Sequence, residues 1–302
     1  MTPFIYQTIL DMKILKGLFA GFLAITLFVS CEEKAEDPAK ELLDKARSEF
    51  EAGRYSNTRL LIDSMSATCP NAYKTRREAE VLRREAMIKE KERDYLYYDS
   101  VCVGMEARLK VLLSDYKFNK NDRYQDTGYY TVPSQDLSKN VNNTFLRASV
   151  NEDGTAFLTS FYRGSKIEYN TVKISAGESF MLCDKPFTSN SYRSNGVQNE
   201  RCDYRYGEDG GLMDFIAFSQ GPFTVELSGG SGKHSYKLRE SDVIAVQSIL
   251  KLSNFITELN RMREYRDDAH VSWRILLKNK EISESNAAGS EQATEQGGTL
   301  SE

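Results

Sequence analysis

The hydrophobic positions of the chain fall into four textures. An unbroken, uncharged apolar run, Gly17–Ser30 (GLFAGFLAITLFVS), comes first. From Pro38 the apolar residues take helical spacing: Leu42, Leu43, Ala46 and Phe50, then, past Gly53, Leu60, Leu61 and Met65 before Pro70. This predicts a helical hairpin. A long helix follows from Ala72 to about Tyr116, with no internal proline. In it Val81, Ile88, Tyr95, Cys102, Leu109 and Tyr116 recur every seven residues, and Tyr98, Met105 and Leu112 add a second seam. Seven-residue spacing predicts coiled-coil-like packing against another helix. The charged run Lys89–Asp94 (KEKERD) interleaves both signs and reads as a solvated face, or as a break in the helix.

The third texture spans Lys117 to Leu238, where Asn, Asp, Ser, Gly and Tyr separate short alternating runs. Thr144–Val150 and Thr155–Tyr162 flank Asn151-Glu152-Asp153-Gly154, a hairpin signal because Asp-Gly tolerates the positive φ of a tight turn. Further strand candidates are Lys166–Ser175, Ser179–Leu182, Arg201–Arg205, Leu212–Ser219, Phe223–Ser228 and Ser235–Leu238, while Lys185–Asn199 reads as a long polar loop. About eight short strands with hairpin connections predict an antiparallel sandwich or a small barrel.

The fourth texture begins at Glu240. Ile249, Leu252, Ile256 and Leu259 form one helical stripe, widened by Val246, Leu250 and Phe255. So broad an apolar face calls for burial, and the seam of the Ala72–Tyr116 helix is its expected partner. Val271–Leu277 reads as a short helix or a strand. Ser283–Glu302 has almost no large apolar residue and is expected to be disordered. The predicted class is α+β: an N-terminal helical hairpin and long helix (39–116), an inserted antiparallel β-sandwich-like module (117–238), and a C-terminal helix (239–282) packing back on 72–116.

Composition narrows the function classes. With 40 basic and 44 acidic residues among 302, the net charge is −4, which argues against a nucleic-acid surface. Lys13 and Lys16 precede the apolar run, and Ser30 and Cys31 close it. An apolar run of about 7–15 residues marks a signal peptide, since a spanning helix needs about 20. Residues 1–30 are therefore expected to be an export signal with its start at Met12, because the preceding MTPFIYQTILD carries an acid and no base. Residues 31–38 are the expected tether.

Residues 27–31 (LFVSC) resemble the lipobox of bacterial lipoproteins, with Phe28 where leucine is usual and Leu27 one place early. The resemblance implies cleavage before Cys31 and a diacylglycerol on its thiol. The relaxed box and the following Glu32-Glu33-Lys34 are similar to Bacteroidota-type surface lipoproteins. This implies a protein lipid-anchored to the outer membrane, on its periplasmic or cell-surface side. The hairpin resembles one degenerate tetratricopeptide unit. Ala46, Gly53, Tyr55 and Pro70 match, and Ile62 fills the aromatic slot; Thr58 replaces the expected alanine, and the helix-A tryptophan is missing. A shift of one repeat does not reproduce the pattern, so a single hairpin is expected and not an array.

Little else carries chemistry. With Cys31 acylated, Cys69, Cys102, Cys183 and Cys202 remain; Cys183 and Cys202 share the β segment and are candidates for a disulfide, with buried free thiols the equal alternative. No CxxC, CxxH or HxH spacing suggests a metal or redox centre. His234 and His270 have no nucleophile at a recognisable spacing, and Gly229–Lys233 (GGSGK) fails both the nucleophile-elbow and P-loop patterns. Glu208–Gly211 and Asn151–Gly154 read as turns, not calcium loops. Asp63-Ser64-Met65 and Asp99-Ser100-Val101 resemble the O-glycosylation acceptor of Bacteroidota-type exported proteins. Tyr124, Tyr129, Tyr130, Tyr162, Tyr169, Tyr192, Tyr204 and Tyr206 suit strands, and also glycan or protein contact. The expectation is a non-catalytic envelope protein, without cofactor or nucleic-acid partner, that binds a protein or glycan or serves a structural role. An assembly scaffold acting through the hairpin and an envelope-polymer hydrolase are the alternatives.

Overall fold

The computed structural model describes residues 37–123 and 125–297, with side chains to residue 287. The export signal, Cys31, Tyr124 and residues 298–302 lie outside the described residues, as does most of the tether. The chain divides into two compact units, residues 1–97 with 266–302, and residues 98–265. Its two longest helices therefore each contribute to both units.

In the first unit, α1 (37–51) and α2 (Tyr55–Thr68) form the predicted hairpin. Gly53 turns between them with φ +73°, and Tyr55 packs on Phe50 at a ring distance of 5.6 Å. Leu43, Ala46, Ile62, Met65 and Ala72 make a small core with Ala79 of α3 (Tyr73–Leu112). Small residues at Ala46 and Ala79 let the helices approach closely. The distal part of α6 (Glu240–Gly297) returns along α3: Tyr95 stacks on His270 at 4.9 Å and lies 5.8 Å from Trp273, and Lys280 pairs with Glu85 at 2.6 Å. Of the heptad positions in this part of α3, Ile88 is buried but Val81 is exposed. Val271–Leu277 is helical. The polar stretch 283–297 also continues as helix, contrary to the predicted disorder; its alanines, glutamates and glutamines are good helix formers.

In the second unit, a short 3₁₀ turn (Leu113–Asp115) ends α3, and ten strands follow among the described residues, with the one-turn helix α4 (Leu137–Asn140) between the second and third. Six form one antiparallel sheet in the order β1-β2-β3-β4-β8-β7. These are β1 (Lys117–Asn119), β2 (Tyr129–Thr131), β3 (Phe145–Asn151), β4 (Ala156–Gly164), β7 (Thr188–Ser194) and β8 (Val197–Arg205). The other four, β5 (Tyr169–Ala176), β6 (Ser179–Cys183), β9 (Thr224–Gly229) and β10 (Gly232–Lys237), pair antiparallel in the order β10-β9-β5-β6. One apolar core serves both sheets: Leu146, Ala148 and Val150 of β3 and Leu158 of β4, Val172 and Ile174 of β5, Val225 and Leu227 of β9. Val246, Ile249, Leu252 and Ile256 of α6 complete it, so the predicted stripe is buried. Tyr116 Oη donates to the Ser248 carbonyl at 3.0 Å, and Arg263 pairs with Glu106 at 2.6 Å, which sets α3 and α6 antiparallel in this unit too. The fold is α+β, with antiparallel sheets and the long helix packed on the C-terminal one.

Two local expectations are corrected. Lys185–Asn199 is not a loop: β7 and the start of β8 form a hairpin closed by Asn195-Gly196, both at positive φ (+51° and +77°), the backbone of a type I′ turn. The stretch is polar because β7 is an edge strand with nearly every residue exposed. Leu212–Ser219 is not a strand but helix α5 (Leu212–Phe218). Asp209 caps it, its carboxylate accepting from the Gly211 and Met213 amides at 3.2 and 2.9 Å. Seven residues, LMDFIAF, are too few for periodicity to separate a buried strand from a buried helix.

Candidate functional site

Strand alternation sends Leu146, Ala148 and Val150 into the core, and so turns Phe145, Arg147 and Ser149 to the opposite face of the six-stranded sheet. The antiparallel registers align that face in rungs. One rung reads Arg147–Thr159–Asp203–Thr188 across β3, β4, β8 and β7; the next reads Phe145–Phe161–Arg201–Asn190. Phe145 and Phe161 stack at 5.0 Å with an interplanar angle of 11°.

Arg147 is the unusual member. It is only 4% exposed, no carboxylate pairs with it among the described residues, and its buried Nε has no hydrogen-bond partner. Its guanidinium lies over the rings of Phe161 (5.1 Å) and Tyr129 (5.5 Å), so cation–π contact replaces an ion pair. Burial pushes Arg147 below the usual guanidinium range, with Tyr129 partly opposing that shift. Asp203, one strand beyond Thr159, is already committed. Its Oδ1 accepts from Thr159 Oγ1 at 2.6 Å and from Arg201 at 2.8 and 3.1 Å, and its Oδ2 from Thr188 Oγ1 at 2.6 Å.

Over the first rung the surface sinks into a concavity of about 260 Å³, lined by Arg147, Arg201 and Asp203, by Tyr129 and Phe187, and by neutral hydrogen-bonding groups such as Ser149 and Asn151. A second concavity of about 270 Å³ lies over the adjoining rung, lined by Phe145, Phe161 and Tyr192 among others, and Arg201 borders both. The arrangement offers fixed cations, aromatic rings and neutral polar groups on a sheet face. Among the described residues its lining holds no histidine or cysteine, and no cluster suited to a metal ion occurs.

The sequence candidates fall elsewhere. The Cys183–Cys202 disulfide is not formed: Cys183 ends β6 in the four-stranded sheet, Cys202 sits on β8 in the other, and both thiols are free. The Cys202 thiol points at the Tyr169 carbonyl (3.3 Å), and that of Cys183 at the Lys185 and Glu208 carbonyls (3.7 Å each). His234 packs against Tyr162 at 5.2 Å, and Ser231 hydrogen-bonds Glu168. Ser64 and Ser100 are exposed on helices. The tyrosines divide. Tyr169 and Tyr204 are buried and donate to the Ser160 and Asn170 carbonyls (2.8 and 2.7 Å), whereas Tyr129 and Tyr192 line the two concavities. Sequence reasoning missed Arg147, Arg201 and Asp203. The signal for Arg147 was an arginine alternating with the core-facing residues of TFLRASV, on the first strand of the predicted hairpin; Arg201 and Asp203 had no such signal.

No family model, curated protein or solved structure matches the chain. No helix among the described residues is long and apolar enough to cross a membrane.

Proposed function

We propose that this is a cell-envelope protein held to the outer membrane by a lipid on Cys31, and that its β module binds a ligand on the outer face of the six-stranded sheet. The anchor rests on the basic residues, the uncharged apolar run and the Ser30-Cys31 junction. Two acyl chains give stable membrane attachment where one is marginal. The binding role rests on one observation above all: a buried, unpaired arginine opening into a concavity shared with aromatic and hydroxyl groups. A buried cation without a carboxylate is costly to keep, and such groups cluster where a ligand completes them. The reading is of a binding module: among the described residues the face carries hydrogen-bond donors and rings.

The anchor is tested by metabolic labelling with an alkyne fatty acid. Cys31→Ala is expected to abolish labelling and to release the protein in soluble form; unchanged labelling overturns the anchor. Binding is tested on a glycan array with fluorescent protein, where signal lost in Arg201→Ala supports the sheet face. Signal unaffected by that substitution and by Tyr192→Ala moves the binding role off this face.

A further inference from the structure

The concavity over the Arg147 rung has a charge inventory that selects its ligand. Two arginines, Arg147 and Arg201, face one aspartate, Asp203, leaving one positive charge among the lining residues. Arg201 spends that aspartate: it donates to Asp203 at 2.8 and 3.1 Å while Thr159 and Thr188 fill the carboxylate's remaining capacity. The surplus charge is therefore Arg147, 96% removed from solvent, with its Nε unpartnered. A guanidinium offers a planar fork of donors that matches a carboxylate in two parallel hydrogen bonds. One carboxylate neutralises the surplus, whereas a phosphate monoester, at about −1.5 to −2, would leave negative charge buried.

The remaining lining favours a sugar over a peptide. Gln125, Ser149 and Asn151 are neutral donors and acceptors suited to hydroxyl groups, and Tyr129 and Phe187 supply ring faces and edges. The concavity, about 260 Å³, is just below the range of ordinary ligand sites, about 300–1,000 Å³, a size for one sugar ring. We infer that the site binds an acidic saccharide residue, its carboxylate on Arg147 and its hydroxyls on the polar groups of the rung's rim. The inference rests on the reading of the β module as a binding module and adds the chemical class of its ligand.

The test is calorimetric titration of the detergent-solubilised full chain with D-glucuronate and D-galacturonate, their methyl esters, glucose, inorganic phosphate and a glutamate-terminated peptide. The uronates are expected to bind, and esterification, which removes the charge and keeps the ring, to weaken binding at least tenfold. Arg147→Met is expected to produce the same loss, and Arg147→Lys, which keeps the charge but not the fork, an intermediate one. Thermal melts of both variants verify folding; should Arg147→Met fail to fold, the acid-to-ester comparison on the wild-type protein decides alone. Equal binding of acid, ester and glucose overturns the carboxylate assignment and leaves the binding module standing. Preference for phosphate or for the peptide over the uronates overturns the saccharide assignment. Silence of the wild-type protein toward every compound overturns the inference and removes the support that this concavity lends to the binding role.

Discussion

Single residues carry unusual weight in the β module because several polar groups are buried with few substitutes. Glu200 is 4% exposed, and its carboxylate accepts from the amides of Ile167 (2.9 Å), Glu168 (3.1 Å) and Tyr169 (3.1 Å) where the chain crosses from one sheet to the other. Glu200→Ala strands these donors, and a melt monitored by circular dichroism is expected to show a loss of about 3 kcal/mol, with Glu200→Gln milder. Cys202 makes a second prediction. Burial raises its thiol from 9.0 to about 11. At pH 8 the thiolate is then about one part in a thousand, so iodoacetamide followed by mass spectrometry is expected to leave Cys202 unmodified in native protein and to label it in urea. The sign for stability follows from the raised value: the contribution is complete below pH 9 and is lost as pH climbs through 11. Gly154 shows what sequence reads well at this scale. The Asp153-Gly154 turn was legible, and its φ of +92° is of the kind only glycine adopts cheaply. Its contact with α6 was not legible: a Cβ there would lie 2.8 Å from Thr257 Oγ1 and 3.2 Å from the Thr257 amide nitrogen. Arg147 was illegible for a related reason, since an exposed and a buried arginine are the same letter.

At the scale of elements, α6 is the member on which the second unit most depends. Ile249 and Leu259 are wholly buried, and Val246, Ile249, Leu252 and Ile256 join the core shared by both sheets. Ile249→Ala is expected to cost about 2–5 kcal/mol by urea denaturation. By contrast Glu106→Ala, which removes the exposed partner of Arg263, is expected to change stability by less than about 1 kcal/mol. The comparison tests whether burial or surface charge holds α3 and α6 together. Heptad spacing located this pairing from sequence because helix packing is periodic and local. The β7–β8 hairpin escaped notice although Asn195-Gly196 is a standard type I′ pair, because an edge strand lacks the apolar alternation by which strands are usually recognised. Helix α5 escaped because its seven residues span only two turns, too few for the spacing of Leu212, Phe215 and Ile216 to stand out.

At the scale of the molecule, the domain boundaries fall within helices. Residues 98–265 contain both sheets, α5, the end of α3 and the first half of α6, with one apolar core among them. A fragment of residues 98–265 is therefore expected to fold alone, giving dispersed amide resonances and a cooperative melt; a collapsed spectrum would place the core's support elsewhere. The β module is thus more than the strands at 117–238, because it includes the helical ends that flank them.

The residue pattern alone determined most of the elements and their order, β7, α5 and the polar end of α6 excepted: the apolar run before Cys31, the hairpin about Gly53, the seven-residue seam, the strand-rich middle and the broad stripe of α6. These are consequences of spacing along the chain, so a linear reading suffices. Only the tertiary structure decided that Arg147, Thr159, Asp203 and Thr188 form one rung, that Asp203 is taken by Arg201 and the two threonines, and that Arg147 is left buried with no ion pair among the described residues. Those four residues come from four strands, and their adjacency depends on register and strand order, which long-range pairing sets and no local periodicity encodes.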